Sequence, residues 1–288
     1  MAWGCSTPSA HRKAAGAAHP EYHVAPSLVL SIAASVLLGR RRRFSSDARR
    51  LVESFRPPPR VENAHWIPRD APFVLVTNHY FKPGYRVWWG IAAIAVAVAD
   101  RRPEAREMVW MQSNRWTYPD RLRSLLLTPL TKVAFTRVAR TYCFIPTPPM
   151  PRDERYIAEG AQSVRRMLSL LEAPELADRP AMGVAPEGRD NEADGSLIKP
   201  PAGTGRFLVH LARRGLSFVP VGVCETEGIL TARFGPPFLL ETHPGTAPDG
   251  LDRLASTQVM VAIARLLPQE LWGVYAAHLA TPERSGGG

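Results

Sequence analysis

Cysteine is scarce in this sequence. The three present, Cys5, Cys143 and Cys224, are odd in number and far apart, with no CxxC spacing. That excludes a disulfide framework and a cysteine-built zinc site, and it fits a reducing compartment. Long apolar runs are also missing. The best N-terminal one, residues 24–38, contains Pro26, Ser27, Ser31 and Ser35. As a helix it would span about 22 Å, short of a hydrocarbon core of about 30 Å. No GxxxxGK[ST] loop is found, which excludes a Walker nucleotide site. Acidic residues are thin in the first 60 positions, where Glu21, Asp47 and Glu53 stand against ten Lys and Arg. Most of the formal net charge of +10 therefore sits in this arm, and the rest of the chain is close to neutral.

A basic arm suits an anionic membrane surface or nucleic acid. The arm lacks interleaved aromatics and the core lacks charge, so nucleic acid is not an expected partner. The apolar segment 24–38 runs straight into Arg40-Arg41-Arg42-Arg43, with no small-residue cleavage site between. It reads as a shallow anchor rather than a cleaved leader. The arginines would stay on the anionic cytoplasmic face of a membrane. The expected localisation is therefore the cytoplasmic face of a membrane, peripheral or shallowly anchored.

The expected organisation is a basic arm over 1–60, an α/β domain over 61–281 and a flexible tail over 282–288. Within the arm, residues 1–23 read as disordered and 26–55 as one or two short helices. Arg56-Pro57-Pro58-Pro59-Arg60 reads as a stiff spacer. From residue 70 onward, strand and helix patterns alternate. Strands are predicted over 73–77, 107–112, 142–145, 182–185, 218–223 and 229–234. Helices are predicted over 85–99, 119–140 with a possible break at Pro129, 154–171, 205–214 and 249–267. The helix at 85–99 is either core or a membrane-facing surface, core being the commoner outcome for such a run. The strands are near-continuous apolar runs without alternation. That pattern predicts an α/β fold with a largely parallel central sheet covered by helices on both faces.

Two stretches carry candidate chemistry. Residues 73–85, FVLVTNHYFKPGY, read as a buried strand ending in a turn that presents Asn78 and His79. In α/β proteins ligands bind beyond the carboxyl ends of parallel strands, so His79 is a candidate general base. Residues 182–191, MGVAPEGRDN, place Glu187, Gly188 and Arg189 at a second strand end. The rigid donor fork of Arg suits phosphate. If both strands belong to one parallel sheet, His79 and Glu187 share one edge and can converge on one cleft. Downstream, Lys199 leads into Gly203-Thr204-Gly205 ahead of a helix, a position where backbone N–H groups attract anions.

Together these stretches resemble the glycerol-phosphate acyltransferase family, the branch that includes lysophosphatidic acid acyltransferases, over about 73–238. Asn78-His79 looks like that family's first motif, NHxxxxD. Tyr142-Cys143-Phe144-Ile145-Pro146 holds the place of the second, Pro186-Glu187-Gly188 matches the third (usually PEGTR), and Val219-Pro220-Val221-Gly222-Val223 matches the fourth. The resemblance implies an acyltransferase of that fold. His79 would take the proton of an acceptor hydroxyl, which attacks the thioester of acyl-CoA or acyl carrier protein. Glu187, Gly188 and Arg189 would bind the lipid acceptor, Arg189 on its phosphate, and Asn78 and Lys199 complete the expected substrate-binding set. No metal and no cofactor is implied beyond the acyl donor as co-substrate. Two departures stand out. Gly84 falls where the family has the Asp that orients the histidine, leaving Glu187 or Asp120 as substitutes, and Arg189 follows Gly188 directly without the intervening Thr. Two readings follow: an active O-acyltransferase on a lysophospholipid or glycerolipid-like acceptor, or a non-catalytic lipid-binding relative.

Overall fold

The run Phe-Val-Leu-Val-Thr has no polar face, and in the computed structural model it forms the middle strand of the sheet, buried at every position. The structure describes residues 22–82, 85–118, 120–149, 154–173, 179–189, 194–242 and 245–280. Among them, seven strands run β1 (Arg60–Glu62), β2 (Phe73–Thr77), β3 (Val109–Ser113), β4 (Ile145–Thr147), β5 (Met182–Val184), β6 (Ser217–Thr226) and β7 (Ile229–Phe234). The spatial order is β1-β7-β6-β2-β5-β3-β4. Every pair is parallel except β6 with β7, which are joined by a tight turn. The largely parallel α/β sheet expected from the unalternating strands is present.

The helices are α1 (Pro26–Leu37), α2 (Phe44–Glu53), α3 (Val87–Arg101), α4 (Arg121–Tyr142), α5 (Ile157–Leu171), α6 (Thr204–Ala212), α7 (Pro248–Ala264) and the short α8 (Ala276–Ala280). The crossovers through α3 and α4 step toward β4, whereas those through α5 and α6 step back toward β6. Right-handed connection puts the two pairs on opposite faces. The packing agrees: α2 lies against α3 and α1 against α4, while α6 lies against α7. Helix α3 is core rather than a membrane-facing surface, since Ala92, Ala93, Ile94, Ala95, Ala97 and Val98 are all buried. Helix α4 passes through Pro129 without a break. The missing N–H leaves the Leu125 carbonyl without its helical donor, but on an exposed face where water can replace it.

The N-terminal segment packs into the same core. Tyr22 stacks on Phe55 with ring centroids 4.2 Å apart and meets Trp89 edge-on at 4.6 Å. Beyond the proline run, residues 60–62 pair in parallel with β7 and extend the sheet. One of the four consecutive arginines turns inward. Arg42 donates to both oxygens of the buried Asp47, at 2.6 and 2.5 Å, and to the hydroxyls of Ser31 and Ser35 on α1. Tyr142, at the end of α4, donates to the same carboxylate at 2.8 Å. Arg43 pairs with Glu107 at 3.0 Å at the surface, and Arg40 and Arg41 are exposed as well. The arm's expected disorder over residues 1–23 falls almost wholly outside the described residues, as does the expected tail at 282–288.

Candidate active site

The chain leaves β2 toward α3 on one face and leaves the neighbouring β5 toward α6 on the other. Between two such strands the connections diverge and open a crevice beyond the carboxyl ends, the usual ligand site of an open α/β sheet. Register places the two strand ends level, with Val76 opposite Val184. Asn78 and His79 follow β2, and Pro186 and Glu187 follow β5, so the four converge on this crevice.

Glu187 is fully buried, at 0% exposure. Its Oε2 accepts the backbone N–H of His79 at 2.6 Å, and its Oε1 accepts the backbone N–H of Ile198 at 2.9 Å. The turn that delivers it closes with the Gly188 N–H donating to the Ala185 carbonyl at 3.1 Å. Gly188 has φ of +66°, a conformation that favours glycine and explains the residue after the glutamate. Hydrogen bonds to an ionised acceptor contribute about 1.5–3 kcal/mol each, so this carboxylate fixes the backbone of the histidine turn. Burial first, and then the Glu187 charge, push the Tyr275 phenol above its ordinary value, which keeps it neutral beside the carboxylate.

Asn78 is 3% exposed, and its amide is engaged with the backbone of β6. The side-chain N–H donates to the Val223 carbonyl at 2.8 Å, and the side-chain oxygen accepts the Val223 N–H at 2.7 Å. This arrangement braces the end of β2 against β6 and sends His79 toward the crevice.

His79 lines a cavity of about 250 Å³. Its walls come from the ends of β3 and β4 (Met111, Ser113, Thr147, Pro148), from the α5 face that carries Gly160 and Val164, and from Gly188. Most of these walls are apolar, with hydroxyls from Ser113, Thr147, Ser163 and Thr204 among them. An ionic network supports the wall behind α5. Glu159 accepts from Arg115, from Lys132 at 2.8 Å and from Asn114 at 3.1 Å. Burial alone would raise the Glu159 carboxyl, but these donors outweigh it and hold it down at about 2.

The remaining expected site residues lie around this core. Arg189 and Lys199 are both exposed, Arg189 directly after the cavity-lining Gly188 and Lys199 next to Ile198. Asp120 is engaged elsewhere, as the N-cap of α4, where it accepts the Arg123 N–H at 2.8 Å. Gly84 lies outside the described residues. The N–H groups at the start of α6, a candidate anion site, are met by the protein itself: the Asp252 carboxylate accepts from Gly203 at 2.8 Å and from Arg206 at 2.9 Å. Gly205 serves packing, since a Cβ there would sit 1.9 Å from the Asp252 carbonyl oxygen. Sequence reasoning missed Tyr275, and nothing local in the sequence pairs it with Glu187. The cavity walls on α5 were partly legible, because Gly160 and Val164 fall on one helical face.

No family model matches the sequence, and no curated protein matches it. Among solved structures, the chain is similar to the crystal structure of the 1-acyl-sn-glycerophosphate (LPA) acyltransferase PlsC from Thermotoga maritima. The sequences are 15% identical, the TM-score is 0.49, and the alignment covers 77% of this chain and 78% of that one.

Proposed function

We propose that this protein is an O-acyltransferase that moves a fatty acyl group from acyl-CoA or acyl carrier protein to a hydroxyl of a lysophospholipid or glycerolipid-like acceptor. The observation that carries this reading is the placement of His79. It opens into a mostly apolar cavity at the switch point of the sheet, with its own backbone held by a fully buried carboxylate. The imidazole takes the proton of the acceptor hydroxyl as its oxygen attacks the thioester carbonyl carbon. The C–S bond then breaks, and the thiolate leaving group receives that proton back from the imidazolium. General base assistance of this kind is worth roughly 10²–10⁴ in rate. The cavity between α5 and the ends of β3 and β4 holds the acyl chain. Arg189, exposed at its rim, meets the acceptor phosphate, and Lys199 adds positive charge nearby. Asn78 and Glu187 act here by positioning His79. The N-terminal segment, with exposed Val29, Leu30, Leu37 and Leu38 followed by Arg40 and Arg41, holds the enzyme peripherally on the cytoplasmic face of a membrane.

The test is product formation from a long-chain acyl thioester and a matched pair of acceptors, one with a phosphate and one without. Wild type should esterify the phosphorylated acceptor. Arg189→Ala should raise KM for that acceptor and leave the neutral one unaffected. Absence of acyl transfer to any glycerolipid acceptor from either donor would remove the proposal.

A further inference from the structure

Helix α4 is apolar on two opposite sides, more than a helix that only covers a sheet requires. Its inward side carries Val138, Ala139 and Tyr142, and the half-buried Phe135 meets the exposed Trp116 edge-on at 5.0 Å. The opposite side is also apolar. Leu122, Leu125, Leu126, Pro129 and Val133 follow the i, i+3, i+4, i+7, i+11 pattern of one helical stripe, and Leu130 borders it. The four leucines are 61–73% exposed and Val133 is 53% exposed. Trp116, 58% exposed, precedes the helix. A contiguous apolar stripe of this length is a docking surface rather than ordinary scatter.

Its charge selects the occupant. The helix contains Arg121, Arg123, Lys132, Arg137 and Arg140 and no acidic residue. Lys132 is paired with Glu159, whereas Arg137 and Arg140 are exposed at the C-terminal end of the same stripe. A second copy of the chain seated on this stripe would bring like charges together. A stripe of leucines bordered by cations and led by an exposed tryptophan instead fits an anionic lipid surface, with the leucines in the acyl boundary and the arginines among the headgroups. We infer that α4 is a lipid-docking helix that binds anionic membranes, independently of the N-terminal segment. Its first turns follow the carboxyl end of β3, on the same sheet edge as His79. Docking therefore turns the mouth of the His79 cavity toward the lipid.

The experiment is flotation of the full chain with phosphatidylcholine vesicles and with mixed phosphatidylcholine–phosphatidylglycerol vesicles. It compares wild type, the exposed quadruple variant Leu122→Gln/Leu125→Gln/Leu126→Gln/Leu130→Gln, Arg137→Gln/Arg140→Gln, and the α1 variant Leu30→Gln/Leu37→Gln. Thermal melts establish that each variant is folded. If the quadruple variant does not fold, Leu122→Gln/Leu125→Gln replaces it. Wild type should float with the mixed vesicles and weakly with phosphatidylcholine alone. The α4 leucine variant should lose at least about tenfold in partitioning, and the arginine pair should lose binding to the mixed vesicles alone. An α4 leucine variant that floats like wild type overturns the inference, as does binding abolished by the α1 variant alone. A wild type that fails to float but is a dimer dispersed by the α4 variant assigns the stripe to a second copy, and also overturns it.

Discussion

Replacing Glu187 by Gln perturbs the site with almost no change in shape. The native carboxylate accepts two backbone N–H groups, from His79 at 2.6 Å and from Ile198 at 2.9 Å, and it is 0% exposed. Gln keeps one acceptor oxygen and turns an NH₂ group on the other N–H, donor to donor. One charge-assisted hydrogen bond is lost, the second is weakened by loss of the charge, and one buried N–H is left unsatisfied. Each such loss costs about 1–3 kcal/mol, so the expected destabilisation is about 2–4 kcal/mol. With a urea m-value near 3 kcal/mol/M, the unfolding midpoint should fall by about 1 M. The His79 backbone loses one anchor, and acyl transfer by the folded fraction should fall by about 10²-fold, the cost of a small misplacement in a positioned site. Equilibrium urea unfolding followed by tryptophan fluorescence measures the first effect. A midpoint unchanged within about 0.2 M would mean that the carboxylate does not hold these two N–H groups.

Three further outcomes follow from the same geometry. Asn78→Ala strips the Val223 N–H and carbonyl of their side-chain partners in a buried setting; it should cost about 2–4 kcal/mol in a denaturation experiment and lower turnover by loosening the histidine turn. The Glu159 carboxyl is held at about 2 against an ordinary 4.5. Its contribution is therefore complete above about pH 4.5 and lost as pH falls toward 2. Glu159→Gln should reduce stability near neutral pH by on the order of 1–2 kcal/mol, after allowance for partial exposure. The gap to wild type should close below pH 3 in acid titrations followed by circular dichroism. Gly160→Leu places a side chain at a wall of the His79 cavity, and product analysis with a donor series should show a shift toward shorter acyl chains at unchanged fold stability.

Legibility in the sequence followed burial. The strand predicted at 73–77 coincides with β2, because a fully buried strand leaves an almost unbroken apolar run, and the one at 229–234 coincides with β7, where Ile229, Leu230, Ala232 and Phe234 keep the pattern apolar despite Thr231 and Arg233. Strand β1 escaped notice: Arg60–Glu62 is polar, directly follows prolines, and gains its partner only at the sheet edge. The strand predicted at 142–145 moved to Ile145–Thr147, because Tyr142 completes α4 and Cys143 caps it with φ of +58°. The inward turn of Arg42 could not be read from a run of four arginines, since it depends on Asp47 and Tyr142, which only the fold brings together. The pairing of His79 and Glu187 was legible in outline, from two strand ends on one parallel edge. That the carboxylate holds the backbone of His79 depends on the register of β2 with β5, which no local pattern specifies.

The most direct measurement compares wild type and His79→Ala in single-turnover acyl transfer from a long-chain thioester to a phosphorylated lysolipid. The variant keeps the Glu187 contact to the residue 79 backbone N–H, so the fold and the cavity should persist while the base is removed. A fall of roughly 10²–10⁴ in rate with acceptor binding retained is the predicted result. Equal rates in the two proteins would contradict the assignment of His79 as the base.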